Sequence, residues 1–441
     1  MQTIIMAGGK GTRIASVASD IPKPMIPIQG KPVLQYQIEA LAKSGHTDII
    51  LSVGHLGSII KNYFKNGADF GVHIDYYTET EPLGTAGALF QYIEKLDKVF
   101  LLLCGDILFD MDFARFIEFH NAHNALATLA AHPNSHPYDS GLLETDTGGR
   151  LTRWISKEEP RVYYKNLVNA GIHIISKELL LNAKPAQAKV DLDRDVLKPN
   201  IQSSRIFVYN TPEYIKDMGT PERFYQIEND IKNNIPALRN LARKQRAVFL
   251  DRDGTLNTLC LGSAPPPLPH KFITCPEELE LADGAAEAVR LINNAGWLAI
   301  VVTNQPVIAR GLCTLEALGE IHKKLETALG EEGAYLNAVY FCPHHPDKGF
   351  PGEVAEFKID CECRKPKPGM LIQAAARFNI DLENSWMVGD SFRDVEAGKN
   401  AGCKTAYIDY DGRNTGANLI VKNLREAVTE ILRISDDDTC T

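Results

Sequence analysis

A chain of 441 residues with 44% hydrophobic and 23% charged residues has the balance of a globular protein and enough length for two cores. Its formal net charge of −9 leaves no broad basic surface, which argues against a general nucleic-acid binder. The opening stretch MQTIIMAGGKGTR has only a short apolar run and no later stretch is long enough to span a bilayer. Nine cysteines in such a chain suit metal or catalytic roles better than a disulfide framework, so a cytoplasmic protein is expected. From Thr3 the first half alternates short apolar runs (TIIMA, DIILSV, HIDYYT, VFLLLCGD) with amphipathic stretches such as VLQYQIEALAKSG. That alternation predicts βα units around a mostly parallel sheet, with a nucleotide site at the carboxyl ends of its strands. Around IKNNIPALRNLARKQR the pattern turns polar and basic. At Ala247 the run AVFL starts a second βα series that ends near AVTEILRIS. The expected organisation is α/β throughout: a domain over 1–235, a linker over 236–246, a second domain over 247–435 and an acidic tail over 436–441. The prolines of SAPPPLPH, Ser263 to His270, predict a stiff loop.

MAGGKGTR, Met6 to Arg13, follows the first apolar run. Its glycines allow a tight turn that brings amide N–H groups close to a polyphosphate, and Lys10 and Arg13 can meet the charge, although a structural turn accounts for such a loop equally well. IPKPMIPIQGKPVL sets Lys23 between two prolines, which presents its ammonium from a stiff segment. The two pieces together closely resemble the signature of the sugar-1-phosphate nucleotidylyltransferases. The likeness covers roughly the first 230 residues and continues in EPLGTAGAL from Glu81, CGD ending at Asp106, YDSGLLE ending at Glu144, NAGIHI from Asn169 and YIKDMGTPERF around Asp217. The resemblance implies a Rossmann-like fold with nucleotide held by Ala7, Gly8, Gly9, Gly11, Thr12, Gly84, Thr85 and Gly105. It also implies Mg²⁺ on Asp106 and Asp217, Lys23 and Arg13 as catalytic cations on the transferring phosphates, and Glu144 and Asn169 on sugar hydroxyls. Hard carboxylate oxygens suit Mg²⁺, and cations suit the crowded charge of the reaction. One departure stands out. Where the family has Glu-Lys-Pro this chain has SKEEP, so Glu159 takes the lysine's place and Lys157 is the nearest replacement at the sugar phosphate.

In the second half, VFLDRDGTLN delivers Asp251 and Asp253 from an apolar strand into a glycine turn, two residues apart and so directed to the same side. VVTNQ, RKPKPG and MVGDSFRD follow in order. The ordered set resembles the haloacid-dehalogenase superfamily of aspartyl-phosphate phosphatases. That implies Asp251 as nucleophile, Asp253 as general acid and base, and Mg²⁺ at Asp251, Asp390 and Asp253, the last through its backbone carbonyl. Thr303, Asn304, Arg364 and Lys365 would bind phosphate. Between these motifs, CPHHPDKGFPGEVAEFKIDCEC could reflect a disulfide, a metal or coincidence. Its C-x-H and C-x-C pairs, Cys342, His344, Cys361 and Cys363, are typical of a closed structural Zn²⁺ site, with His345 as an alternative ligand.

With this loop, residues 247 to 432 resemble the D-glycero-D-manno-heptose-1,7-bisphosphate 7-phosphatases and the related histidinol phosphatases. Pro306, Val307 and SAPPPLPHK depart from that pattern. The pairing implies heptose 1,7-bisphosphate, heptose 1-phosphate and GTP as small-molecule substrates, with GDP-heptose as product and no nucleic-acid or membrane partner. Three alternatives stay open: a histidinol phosphatase joined to an unrelated transferase, use of UTP or dTTP with a hexose 1-phosphate, and a non-catalytic nucleotide-sugar sensor controlling the phosphatase. The sequence carries no indication of oligomeric state.

Overall fold

The computed structural model describes residues 1–9, 20–183, 185, 187–203, 205–259, 272–349, 351–409, 412 and 415–439. Lys10, Gly11, Thr12 and Arg13 and the loop Ser263 to His270 lie outside them. The chain forms two compact units. One comprises Met1–His132, Leu143–Ser156 and Leu167–Asn240, and the other Pro133–Leu142, Lys157–Asn166 and Leu241–Thr441.

In the first unit the strand Thr3–Met6 lies at the centre of a nine-stranded sheet, parallel to Asp48–Val53 on one side and to Val99–Cys104 on the other. His73–Thr78 extends the sheet in parallel beyond Asp48–Val53. Ile4 and Ile5 are fully buried on opposite faces of the central strand, which explains a continuous apolar run where a half-exposed strand would alternate. The sheet is mixed, combining these parallel pairings with antiparallel ones. Val168–Ser176 returns antiparallel to both Val99–Cys104 and Ala127–His132. An apolar run carries no mark of its direction, so alternation alone cannot separate the two arrangements. Helix Val33–Lys43 begins after Pro32 and buries Leu34, Ile38 and Leu41 against this sheet.

The second unit is built on a six-stranded, wholly parallel sheet. Numbered along the chain, its strands Ala247–Leu250, Leu298–Asn304, Ala338–Cys342, Trp386–Gly389, Lys404–Ile408 and Leu419–Val421 lie side by side in the order 3-2-1-4-5-6. This is the doubly wound order, in which a ligand crevice opens where the first and fourth strands diverge. Helix Leu424–Thr439 closes the unit, with Leu424, Ala427, Val428 and Ile431 in the core. Among the described residues, no helix is long and apolar enough to cross a membrane.

Candidate active sites and metal centre

In the first unit a cavity of about 1030 Å³ opens at the carboxyl ends of Thr3–Met6 and Val99–Cys104. Ala7, Gly8, Gly9, Lys23, Gly84, Thr85, Asp106 and Asn169 all line it. Gly105 belongs to the turn before Asp106, where its N–H bonds Met6 O at 3.0 Å and a Cβ would stand 2.8 Å from the same oxygen. Gly84 has φ +81° and room for no side chain, since a Cβ would meet Val190 O at 2.4 Å. Lys23 sits in a short turn between Pro22 and Pro24, and its Nζ pairs with Asp106. The Asp106 turn is fixed from below by buried Gln37, whose Nε2 donates to Cys104 O at 2.9 Å and to Ile107 O at 2.6 Å. Asp217 closes the ladder in which Tyr214–Asp217 pairs with Ile107–Asp110, and Met218 N donates to Asp106 O at 3.0 Å, so the two aspartates come from neighbouring backbone. Burial works to raise the Asp217 carboxyl, but Arg223, 2.9 Å away, and the Gly219 N–H hold it below the usual range. Asp106 lines the cavity, whereas Asp217 is not part of its wall and both its carboxylate oxygens accept from Arg223; the hard carboxylate oxygens of the pair are of the kind that suits Mg²⁺.

Other expected residues are placed elsewhere. Glu144, on the strand Leu142–Thr145, does not line this cavity. Lys157 is largely exposed, lies 4.0 Å from Glu158 and is also absent from the wall. Glu79, Asp191 and Asp193 line the cavity from outside the motifs above, and Glu81 and His173 line it from within EPLGTAGAL and NAGIHI, where no role was given to either. The acid-rich runs TETEP and DLDRD were the available signal. Asp193 stands on a π-helical turn, Leu192–Leu197, and burial together with Asp191 pushes its carboxyl up to about 7.

In the second unit a cavity of about 630 Å³ lies at the divergence of the first and fourth strands and is lined by Asp251, Asp253, Thr303, Asn304, Arg364, Lys365, Asp390 and Asp394. Lys365 is buried and bridges two acids, with Nζ 2.8 Å from Asp251 Oδ1 and 2.5 Å from Asp394 Oδ1; it also donates to Val302 O at 2.7 Å. Burial opposes its charge, but the two carboxylates more than offset that and hold its pKa above the usual value. Asn304 locks the lysine's backbone by accepting from Lys365 N and donating to Lys365 O, each at 3.0 Å. Thr303 Oγ accepts from Gln305 Nε2 at 3.0 Å.

One oxygen each from Asp251, Asp390 and Asp394 lies within 4.8 Å of the others. Burial and then the neighbouring acids push Asp390 up to about 8 and Asp394 to about 7. Such crowding of carboxylates around a single ammonium fits a divalent cation, which would relieve it. Asp253, outside this trio, accepts from Arg252 at 2.9 Å and from Gln305 at 2.8 Å. These two partners hold its pKa down against the raising effect of burial. Arg252 and Gln305, both buried, contribute here, although neither a charge run nor a spacing marks them in the sequence.

Beside this cavity Cys342, His344, Cys361 and Cys363 converge. Neighbouring donors are 3.3 to 3.7 Å apart: Cys361–Cys363 at 3.3 Å, Cys363–His344 at 3.4 Å, Cys342–Cys361 at 3.5 Å and Cys342–His344 at 3.7 Å. All four donor atoms lie within 4.8 Å of one another; thiolates about 2.3 Å from a central Zn²⁺ in tetrahedral geometry would be roughly 3.8 Å apart, so the cluster is of the right size. All four cysteine and histidine donors could hold a metal ion. His345 turns away, accepting from Asp347 N at 3.2 Å. Arg364 follows Cys363 directly and donates to His344 O at 3.0 Å, which ties the cavity wall to the cluster.

The family pattern described as Nucleotidyl transferase matches residues 2–234, and that described as HAD-hydrolase-like matches residues 362–427. The chain belongs to the nucleotidyl transferase family. Its C-terminal part is a HAD-like phosphatase, so one chain carries a nucleotidyltransferase and a phosphatase. A D-glycero-beta-D-manno-heptose-1,7-bisphosphate 7-phosphatase of Yersinia pestis is 40% identical over 167 residues, 38% of this chain and 81% of that protein. A mannose-1-phosphate guanyltransferase of Kluyveromyces lactis is 31% identical over 232 residues, 51% of this chain and 63% of that protein. A UTP–glucose-1-phosphate uridylyltransferase of Synechocystis is 31% identical over 259 residues, 54% of this chain and 66% of that protein.

Proposed function

We propose that this nucleotidyltransferase–phosphatase acts twice on one sugar: it removes the 7-phosphate of D-glycero-D-manno-heptose 1,7-bisphosphate, then transfers GMP from GTP to the heptose 1-phosphate, releasing pyrophosphate and GDP-heptose. One observation carries the reading. A phosphatase whose relative is named for heptose 1,7-bisphosphate is joined to a transferase family that consumes sugar 1-phosphates, so the product of the second half is the kind of substrate the first half takes. The guanyltransferase relatives favour GTP; the uridylyltransferase relative supports UTP as the second reading.

In the phosphatase, a carboxylate oxygen of Asp251 attacks phosphorus and the bond to sugar O7 breaks, giving an aspartyl phosphate. Asp253 must enter this step protonated, taking up a proton as the anionic substrate fills the cavity; it gives that proton to the leaving alkoxide, then takes one from the water that hydrolyses the aspartyl phosphate. Arg252 and Gln305 keep the Asp253 carboxylate in one place between those steps. Lys365, with Thr303 and Arg364 on the cavity wall, offers charge and hydrogen bonds to the phosphoryl oxygens. Asp251, Asp390 and Asp394, with the Asp253 backbone carbonyl, would hold Mg²⁺, whose charge lets an anionic nucleophile meet an anionic substrate. In the transferase, an oxygen of the sugar phosphate attacks the α-phosphorus of the nucleotide and pyrophosphate leaves. Lys23 supplies positive charge at that centre, and Asp106 and Asp217 would hold Mg²⁺ there. The four Cys and His donors would hold one structural Zn²⁺.

Two variants test the order of events. Given bisphosphate and GTP, Asp251→Asn is expected to release no phosphate and form no nucleotide sugar, yet to convert added heptose 1-phosphate at the wild-type rate. Lys23→Ala is expected to release phosphate normally and accumulate heptose 1-phosphate, with nucleotide-sugar synthesis down about a hundredfold or more. Full synthesis by Lys23→Ala would remove the catalytic role given to Lys23.

A further inference from the structure

Asn169 and His173 lie four residues apart on Val168–Ser176, which in a regular strand would separate them by about 13 Å. Here they touch. Asn169 pairs with Ala131 and His173 with Leu129, so four steps along one strand match two on its neighbour, and Gly171 takes φ +74° in the resulting bulge. The contraction brings His173 Nε2 to 3.0 Å from Asn169 Oδ1. Gly171 N also approaches that oxygen, at 3.4 Å, and a backbone N–H can only donate. The side-chain atom it meets is therefore the amide oxygen, and the imidazole nitrogen meeting the same oxygen must carry its proton. His173 is 3% exposed, and burial takes its pKa down to about 4, so the ring is neutral with one N–H to give.

We propose that His173 is a positioning residue of the transferase site, its Nε2–H fixing the Asn169 side chain so that the amide NH₂ faces the cavity and donates to an oxygen of the bound sugar 1-phosphate. Asn169 lines that cavity, and among the described residues its Nδ2 has no protein partner. With either donor alone the amide could turn over and offer its oxygen instead; two donors on one oxygen make that turn cost both bonds. The inference rests on reading the first unit as a sugar-1-phosphate guanylyltransferase, and it is checked in a way that separates the two.

Long-range proton–nitrogen NMR of the full chain carrying ¹⁵N-histidine, with His173→Gln for assignment, should show His173 protonated at Nε2 and bare at Nδ1. The opposite tautomer overturns the proposal, whatever the substrate. Pyrophosphate release from GTP and heptose 1-phosphate supplies the second readout. His173→Phe should raise KM for the sugar 1-phosphate about fivefold to tenfold, with kcat and KM for GTP within about twofold of wild type. His173→Gln, whose amide nitrogen stands where the ring N–H stood, should restore most of the loss. An unchanged sugar KM, or equal loss toward both substrates, contradicts the proposal. A wild-type chain that ignores this substrate pair would instead refute the reading of the site, with the tautomer still deciding the role of His173.

Discussion

At Gly254 a methyl group has nowhere to go: a Cβ would stand 2.0 Å from Asp390 Oδ2, on backbone with φ +83°. Gly254→Ala is expected to push Asp390 aside and cut phosphate release about a hundredfold, the usual scale for an ångström-sized displacement in an active site, with nucleotidyl transfer unchanged. Wild-type phosphate release by this variant would contradict the place given to Asp390. Some of this site could be read from the chain, because Asp251 and Asp390 each end an apolar strand and a parallel sheet sets such ends side by side. Lys365 and the cysteines announced themselves by charge and spacing. Arg252, Gln305 and His173 did not. Their roles depend on which way a side chain turns, and for His173 on a bulge that no periodicity reveals.

The stretch from Cys342 to Cys363 leaves the third parallel strand, carries all four sulfur and nitrogen donors, and ends where Arg364 and Lys365 enter the cavity. A metal there would hold the loop and, through it, both cations. Elemental analysis should find about one Zn²⁺ per chain, and removal by a strong chelator should lower the phosphatase melting temperature and activity while leaving transfer intact. No zinc after metal-replete expression would defeat this. At the same scale, three of the parallel strands of the second unit were legible from the apolar runs of AVFL, VVTNQ and MVGD, whereas the antiparallel Val168–Ser176 was not distinguishable from a parallel neighbour by composition.

Across the whole molecule each unit buries a neutral histidine. Burial takes His173 down to about 4, and His322, whose Nε2 has no hydrogen-bond partner among the described residues, to about 3. Both sit below the ordinary value near 6.5, so the unfolded chain binds protons that the folded chain refuses. The stabilisation is complete above pH 6.5 and is lost as pH falls through the folded values. For His173 the fall to about 4 corresponds to about 3 kcal/mol at neutral pH. Melting followed by calorimetry should shift downward for both units between pH 7 and 4.5, and His322→Phe should flatten the dependence of the phosphatase transition alone; an unaltered slope in that variant would assign the acid sensitivity elsewhere. The two-enzyme organisation was readable because the motifs of each half are ordered and separate. The sugar and the base were not, since no single residue type marks them. They are settled most directly by mass spectrometry of the products formed from heptose 1,7-bisphosphate, Mg²⁺ and equal amounts of GTP, UTP, ATP, CTP and dTTP. GDP-heptose as the main product is the expected result; another nucleotide sugar, or bisphosphate left intact, would contradict the account.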